Sequence, residues 1–204
     1  MEILDLKKTL KYLYVPSAKT FSIVDVPAMN FIMIDGQGNP NTSPAYSEAV
    51  QALYTGAYTL KFKIRKDLGV DYPVMASEGL WWMDDMREFS AGRKDDWKWT
   101  MMIMQPEIVT PALFAQAVDA ALIKKGLTAL TRLRLERYEE GRAAQILYVG
   151  PYADEGPTIA RLHQFIRENG GINTGKHHEI YLGDPRRSAP GKLRTVIRQP
   201  MRRA

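Results

Sequence analysis

Apolar and polar positions divide the chain into strand-like and helix-like stretches. Residues 20–34, TFSIVDVPAMNFIMI, are rich in Ile, Val and Phe and predict a strand interrupted at Pro27, which has no N–H to give to a central ladder. Asp35-Gly36-Gln37-Gly38-Asn39-Pro40 breaks the chain. Ser43-Pro44 then reads as a cap followed by proline at the first helical position, and Tyr46, Ala49, Val50, Leu53 and Tyr54 recur at helical spacing, which predicts a helix from Pro44 to about Lys66. After Gly69, YPVMASEGLWWMD and DDWKWTMMIMQP read as two strands joined by a charged loop. A second helix spans TPALFAQAVDAALIKKG, from its cap Thr110 to its stop Gly126, and LTRLRLERYEEGRAAQILYVG predicts a hairpin turning at Glu140-Gly141. Residues 157–169 form the third helix, and HHEIYLGDP and LRTVIRQP the last two strands.

The element order recurs. Met83-Asp84 and Gly183-Asp184 close comparable strands, and IMQP at 103–106 echoes IRQP at 197–200. Matches in the same order, flanked by the same elements, point to an internal duplication of a strand-helix-strand-strand module. The expected division is residues 1–106 for the first module with an N-terminal extension, 107–126 for a connecting helix and 127–204 for the second module. The fold class is α+β, two pseudo-twofold-related modules with antiparallel sheet. Setting Asp84 opposite Asp184 brings Trp81 opposite Tyr181, so the two would look into one shared central cleft.

The strand at 177–182 poses the chemical question. Side chains alternate along a strand, so His177, Glu179 and Tyr181 share one face while His178, Ile180 and Leu182 share the other. A carboxylate thus lies beside a tyrosine, with Trp81 expected nearby.

Composition narrows the classes. With 204 residues, 45% apolar and 25% charged, the chain is an ordinary globular protein, and no stretch approaches the roughly 20 apolar residues of a membrane span. No membrane role is expected, and the mixed acids and bases of MEILDLKKTLKYLYVP do not read as a signal peptide, so a cytoplasmic location is expected. The chain has no cysteine, which excludes disulfides, thiolate metal sites and a cysteine nucleophile. Net charge is +5 with a basic C-terminal tail, but no DNA-binding pattern or interleaved aromatics accompany it; nucleic acid is not an expected partner. The two adjacent histidines point to opposite faces, so no metal site is expected, and Gly36-Gln37-Gly38 lacks the rest of a dinucleotide fingerprint, so no cofactor is expected either.

SEGLWWMD, WKWTMMIMQP, YVGPYADEGPTIARLHQFI, HHEIYLGDP and LRTVIRQP together resemble the GyrI-like small-molecule binding proteins in their standalone form, over nearly the whole chain. The resemblance implies two modules around a pseudo-twofold axis with a cleft for bulky, often cationic, aromatic compounds. Glu179 matches the acid that meets ligand cations and Tyr181 the aromatic two residues on. Trp81 and Trp82 match a tryptophan pair, and Tyr152 an aromatic of the pocket.

Met83 and Met101, on strands beside the tryptophans, would add adaptable lining. Glu78 is either a second pocket acid or a solvated strand residue; Trp97 and Trp99 are expected in the core. In an apolar cleft the pKa of Glu179 is expected to rise. Two function classes remain. One is a protein that sequesters lipophilic or cationic aromatic compounds and contributes to drug tolerance. The other is a hydrolase, since some standalone relatives open the cyclopropane ring of DNA-alkylating natural products; Glu179 and Tyr181 would then be the catalytic pair, with Glu78 as an alternative to Tyr181. A gyrase-inhibiting role calls for an acidic DNA-like surface that a chain of net charge +5 does not supply.

Overall fold

The caps and periodicities described above become helices and strands in a computed structural model that describes residues 1–90 and 92–204. In chain order they are β1 (Glu2–Ile3), α1 (Leu6–Thr9), α2 (Lys11–Tyr14), β2 (Ser22–Val26), β3 (Met29–Gln37), α3 (Pro44–Leu68), β4 (Val70–Asp71), β5 (Ser77–Trp82) and β6 (Lys98–Gln105). There follow α4 (Pro111–Lys125), β7 (Arg134–Tyr138), β8 (Gly141–Val149), α5 (Gly156–Glu168), β9 (Gly171–Asn173), β10 (His177–Tyr181) and β11 (Arg194–Arg203). The class is α+β, with helices on largely antiparallel sheet.

The chain forms two compact units. The first comprises Met1–Thr9, Met29–Met75 and Gly79–Tyr138, the second Leu10–Ala28, Ala76–Glu78 and Glu139–Ala204. The expected order appears twice along the chain, as β3-α3-β5-β6 and as β8-α5-β10-β11. The units do not follow the linear division at 106 and 126, because α4 and β7 fold with the first and residues 10–28 with the second. Pro27 therefore marks more than an interruption: β2 before it belongs to the second unit and β3 after it to the first.

The hairpin expected at Glu140-Gly141 does not form. β7 pairs with β3, whereas β8 pairs with β11 along one edge and β2 along the other. Both edges of β8 are thus taken, and the chain turns away at Gly141, whose φ of 72° is in the left-handed region that glycine adopts without a Cβ penalty.

In the first unit β3 is central, flanked by β6 and β7, with Ile32 opposite Ile103 and Leu135. α3 buries Ala49, Ala52, Leu53, Gly56, Ala57, Leu60 and Ile64, a stripe at the spacing of one helical face. Ser43 occupies its cap position without a side-chain cap bond, while Thr110 does cap α4, accepting from the Leu113 N–H at 3.2 Å. Gly36 faces Trp99 across β3 and β6, and a Cβ there would lie 2.1 Å from the indole. The indole is fully buried and its N–H donates to Gly38 O, so it cannot step aside. Gly36→Ala is therefore expected to cost about 1–3 kcal/mol, read as a lowered urea midpoint at unchanged m-value.

In the second unit β11 carries β10 on one side and β8 on the other, and β9 pairs with its last residues. α5 covers one face of this sheet: Leu162 and Ile166 pack with Ala144, Ile146, Ile197 and Met201, and Phe21 stacks on Phe165 at 5.3 Å.

Candidate functional site

β10 places its side chains as alternation dictates. Glu179 lies opposite Ile197 and Tyr181 opposite Thr195 on β11, and Ile197 belongs to the core under α5, so these residues are on the helix-covered face. The glutamate chain is long enough to reach both of its neighbours on that face. His177 Nε2–H donates to Glu179 Oε1 at 3.0 Å, and Tyr181 O–H donates to Oε2 at 2.8 Å. The Tyr152 ring, just beyond the Gly150-Pro151 break, meets Tyr181 edge-on at 5.5 Å.

The glutamate side chain is 14% exposed and His177 4%. Burial pushes the Glu179 pKa up, but the hydrogen bond and charge of His177 and the Tyr181 hydroxyl outweigh it and hold it below the ordinary carboxylate range. The expected rise is thus reversed. Periodicity put histidine and glutamate on one face without revealing that both carboxylate oxygens would find donors there.

The opposite face of β10 carries a second constellation, absent from the sequence-based expectations. His178, Arg198 and Gln145 lie side by side on one rung across β10, β11 and β8. The two nitrogens of His178 face two carboxylates, Nε2 toward Glu78 Oε2 at 2.9 Å and Nδ1 toward Glu140 Oε1 at 2.9 Å. Arg198 donates to Glu140 Oε2 at 3.1 Å, to Gln145 Oε1 at 3.0 Å and to Leu13 O at 2.6 Å. Tyr14 O–H donates to Glu78 Oε1 at 2.5 Å, and Gln145 donates to Tyr12 O at 2.8 Å. Carbonyls of α2, among those a helix leaves unsatisfied at its C-terminal end, are thereby paired.

Charges balance in this network. With a carboxylate at each ring nitrogen, both nitrogens of His178 donate, so the ring is an imidazolium, and two cations meet two anions. Burial alone would lower the His178 pKa, yet Glu140 and Glu78 raise it to about 9. Burial would raise Glu140, yet the charges of His178 and Arg198 lower it to about 2. Burial and Glu78 together push the Tyr14 phenol well above its usual value.

The other predicted site residues are placed as follows. Glu78 is buried, committed to Tyr14 and His178 within the network. Trp81 is 3% exposed in the first unit, its ring between Tyr46 at 5.9 Å and Trp97 at 5.5 Å. Phe89 stacks on Trp97 at 4.8 Å, and Lys94 Nζ lies 5.5 Å from the Trp97 ring centre. Trp99 is core, as expected, and Tyr46 meets it edge-on. Trp82 is half-buried and, as the next strand residue, points opposite to Trp81. Met83 and Met101 are buried. The structure thus brings Glu179, Tyr181 and Tyr152 together in the second unit and adds His177. A groove of about 250 Å³ in that unit, lined by Tyr148, Thr158 and Arg161 among others, includes none of these four residues. Among the described residues no group of three or more His, Cys, Asp or Glu side chains could hold a metal ion, and no helix is long and apolar enough to cross a membrane.

Residues 19–202 match the family model of the GyrI-like small molecule binding domain. An uncharacterized conserved protein from Listeria innocua is 40% identical, over 98% of this chain and 100% of its own, with a TM-score of 0.91. Two Listeria innocua proteins described as hydrolases are 38% and 37% identical, covering 98% and 99% of this chain and all of theirs, with TM-scores of 0.85 and 0.88. No curated protein matches. By the match over residues 19–202 and by these full-length relatives, the chain belongs to the GyrI-like small-molecule binding family.

Proposed function

We propose that the protein binds bulky, lipophilic aromatic cations at Glu179, with Tyr181 and Tyr152 as its aromatic walls, and so sequesters compounds of this class. The observation that carries the proposal is the carboxylate itself: almost buried, kept ionised by His177 and Tyr181, and set against aromatic rings. A desolvated carboxylate attracts a cation far more strongly than an exposed one, and ring faces add about 0.5–2 kcal/mol of cation–π attraction. Trp81 has its ring contacts filled by Tyr46 and Trp97, and Glu78 is held by Tyr14 and His178, so neither is assigned to the binding set. Titration with rhodamine 6G, a fixed cation, and with the neutral dye Nile red tests this. Glu179→Gln is expected to weaken the cation about tenfold or more and Nile red little; equal weakening of both would refute a charge-based site.

A second reading is supported by the two Listeria innocua relatives described as hydrolases. In it Glu179 deprotonates a water that adds across a strained ring, and Tyr181 turns its O–H from Glu179 to the developing negative charge. The lowered pKa makes Glu179 a weaker base, which favours binding as the main role. Incubation with a cyclopropane-bearing alkylating compound decides: a gain of one water by mass spectrometry, lost in Glu179→Gln, would establish hydrolysis.

A further inference from the structure

We propose that Thr195 is the floor of a hydrogen-bonding subsite for the guest of Glu179, so that the protein prefers aromatic cations carrying an uncharged acceptor, such as a carbonyl or ether oxygen, over those without one. The inference rests on the reading of Glu179 as the ligand-facing acid. Thr195 shares one rung with Tyr181 of β10 and Tyr148 of β8, one strand to either side of it. Side chains directly opposite each other in neighbouring strands stand on the same face. Here it is the face that α5 covers, since Ile146 and Ile197, two residues away along β8 and β11, belong to the core beneath that helix. A small side chain thus stands between two tyrosines whose strands are about 10 Å apart, wide enough for a flat ring to lie against both at contacts of about 3.5 Å. Thr195 is fully buried, and its Oγ1 has no hydrogen-bond partner among the described residues. Burying a hydroxyl without a partner destabilises a fold, so such a group calls for a role. Glu179 follows on the same face of β10, its Oε2 accepting from the Tyr181 O–H at 2.8 Å, and a guest over Thr195 therefore has the carboxylate at the end of one wall.

The segment Pro151-Tyr152 straps this rung. Beyond β8 the chain turns at Gly150, where a Cβ would lie 2.5 Å from the Tyr148 hydroxyl. Pro151 O then accepts from the Tyr148 O–H at 3.1 Å, and the ring of the next residue, Tyr152, meets Tyr181 edge-on at 5.5 Å. Two consecutive residues thus touch both ends of the rung, and the strap crosses above Thr195. A guest reaches the hydroxyl by parting the strap from Tyr148. Because Tyr148 also lines the groove of about 250 Å³, its ring has space to turn into. Tyr152 then closes on the guest as the aromatic wall already assigned to it.

The test is the affinity of two permanent aromatic cations for the wild type, Thr195→Val, Thr195→Ser and Glu179→Gln: rhodamine 6G, which carries an ester carbonyl and a ring ether oxygen, and benzyltriphenylphosphonium, which carries no acceptor. Thr195→Val keeps the shape and removes only the hydroxyl. It is expected to weaken rhodamine 6G about fivefold, the effect of one hydrogen bond, and to leave benzyltriphenylphosphonium within about twofold of the wild type. It should also raise Tm by about 2–4 °C, because an unsatisfied group leaves the interior. Thr195→Ser should bind both cations as the wild type does. Tyr148→Phe releases Pro151 and should speed association of both cations about fivefold in stopped flow. Equal weakening of both cations by Thr195→Val, or of neither, would overturn the subsite, as would a loss of rhodamine 6G affinity in Thr195→Ser equal to that in Thr195→Val. A lowered Tm or a failure of Thr195→Val to fold would show that the hydroxyl serves the structure, and an unchanged association rate in Tyr148→Phe that the strap is not the way in; either result overturns the proposal. In each of these cases Glu179→Gln still weakens both cations if the reading of Glu179 is right. If Glu179→Gln weakens neither, that reading fails and the subsite falls with it.

Discussion

Arg198→Met is expected to lower the unfolding free energy by about 3–5 kcal/mol, the range for breaking a buried ion pair from one side. The guanidinium is fully buried and serves three acceptors, Glu140 Oε2, Gln145 Oε1 and Leu13 O. Methionine fills much of the same volume, so the cost is electrostatic rather than a cavity. Two carboxylates then share one imidazolium, and an α2 carbonyl and an amide oxygen lose their donor in a place water does not reach. Glu140→Gln should cost less, because its amide can still accept from Arg198, and the two changes combined should cost less than their sum. Urea denaturation of the four proteins closes the cycle. A loss below about 1 kcal/mol for Arg198→Met, the size of a surface pair, would mean that water reaches the network and that it does not anchor α2.

This network also marks where the sequence stops being informative. Local signals were readable: Pro44 and Gly69 bound α3, Thr110 and Gly126 bound α4, and the alternation around Glu179 assigned faces on β10 correctly. Each depends on residues a few positions apart. The partners of the network are separated by up to 185 residues, from Leu13 to Arg198, and no periodicity links them. A trace was present, since His178 shares its face with Ile180 and Leu182, and Arg198 stands between Ile197 and Gln199 in a buried strand. A polar group on an apolar face needs a partner, but sequence does not say which one.

The strand exchange was illegible for a related reason. Glu139-Glu140 is short enough for a hairpin, and only the competition for the edges of β8, won by β11 and β2, rules it out. At Glu179 the face was right and the pKa direction wrong. The apolar surroundings were inferred from neighbouring residue types, whereas the shift is decided by two hydrogen bonds of specific length from His177 and Tyr181.

Thermal stability is expected to peak between roughly pH 4.5 and 6.5 and to fall on both sides, from the opposed shifts of His178 and Glu140. The folded protein raises the His178 pKa to about 9, above the 6.5 of the free side chain. The folded state therefore holds a proton that the unfolded chain releases; the stabilisation is complete below about pH 6.5 and is lost as pH rises toward 9. The difference corresponds to roughly 3 kcal/mol, or a Tm lower by about 6–12 °C for a chain of this length. Glu140 has the reverse sign. Its folded pKa of about 2 lies below the free value of 4.5, so its contribution is complete above about pH 4.5 and is lost as pH falls toward 2. His163 works against the peak on the acid side, because burial lowers its pKa and protonation below about pH 6.5 then favours the unfolded chain. Scanning calorimetry from pH ~4 to ~9 reads the profile, and His178→Gln assigns it: the variant should be less stable at pH ~6 yet lose the decline between ~6.5 and ~9. If the wild type held a constant Tm across that alkaline limb, His178 would be neutral in the folded protein. One of its two carboxylate contacts would then have to be to a protonated acid, and the balance of two cations against two anions behind β10 would not hold.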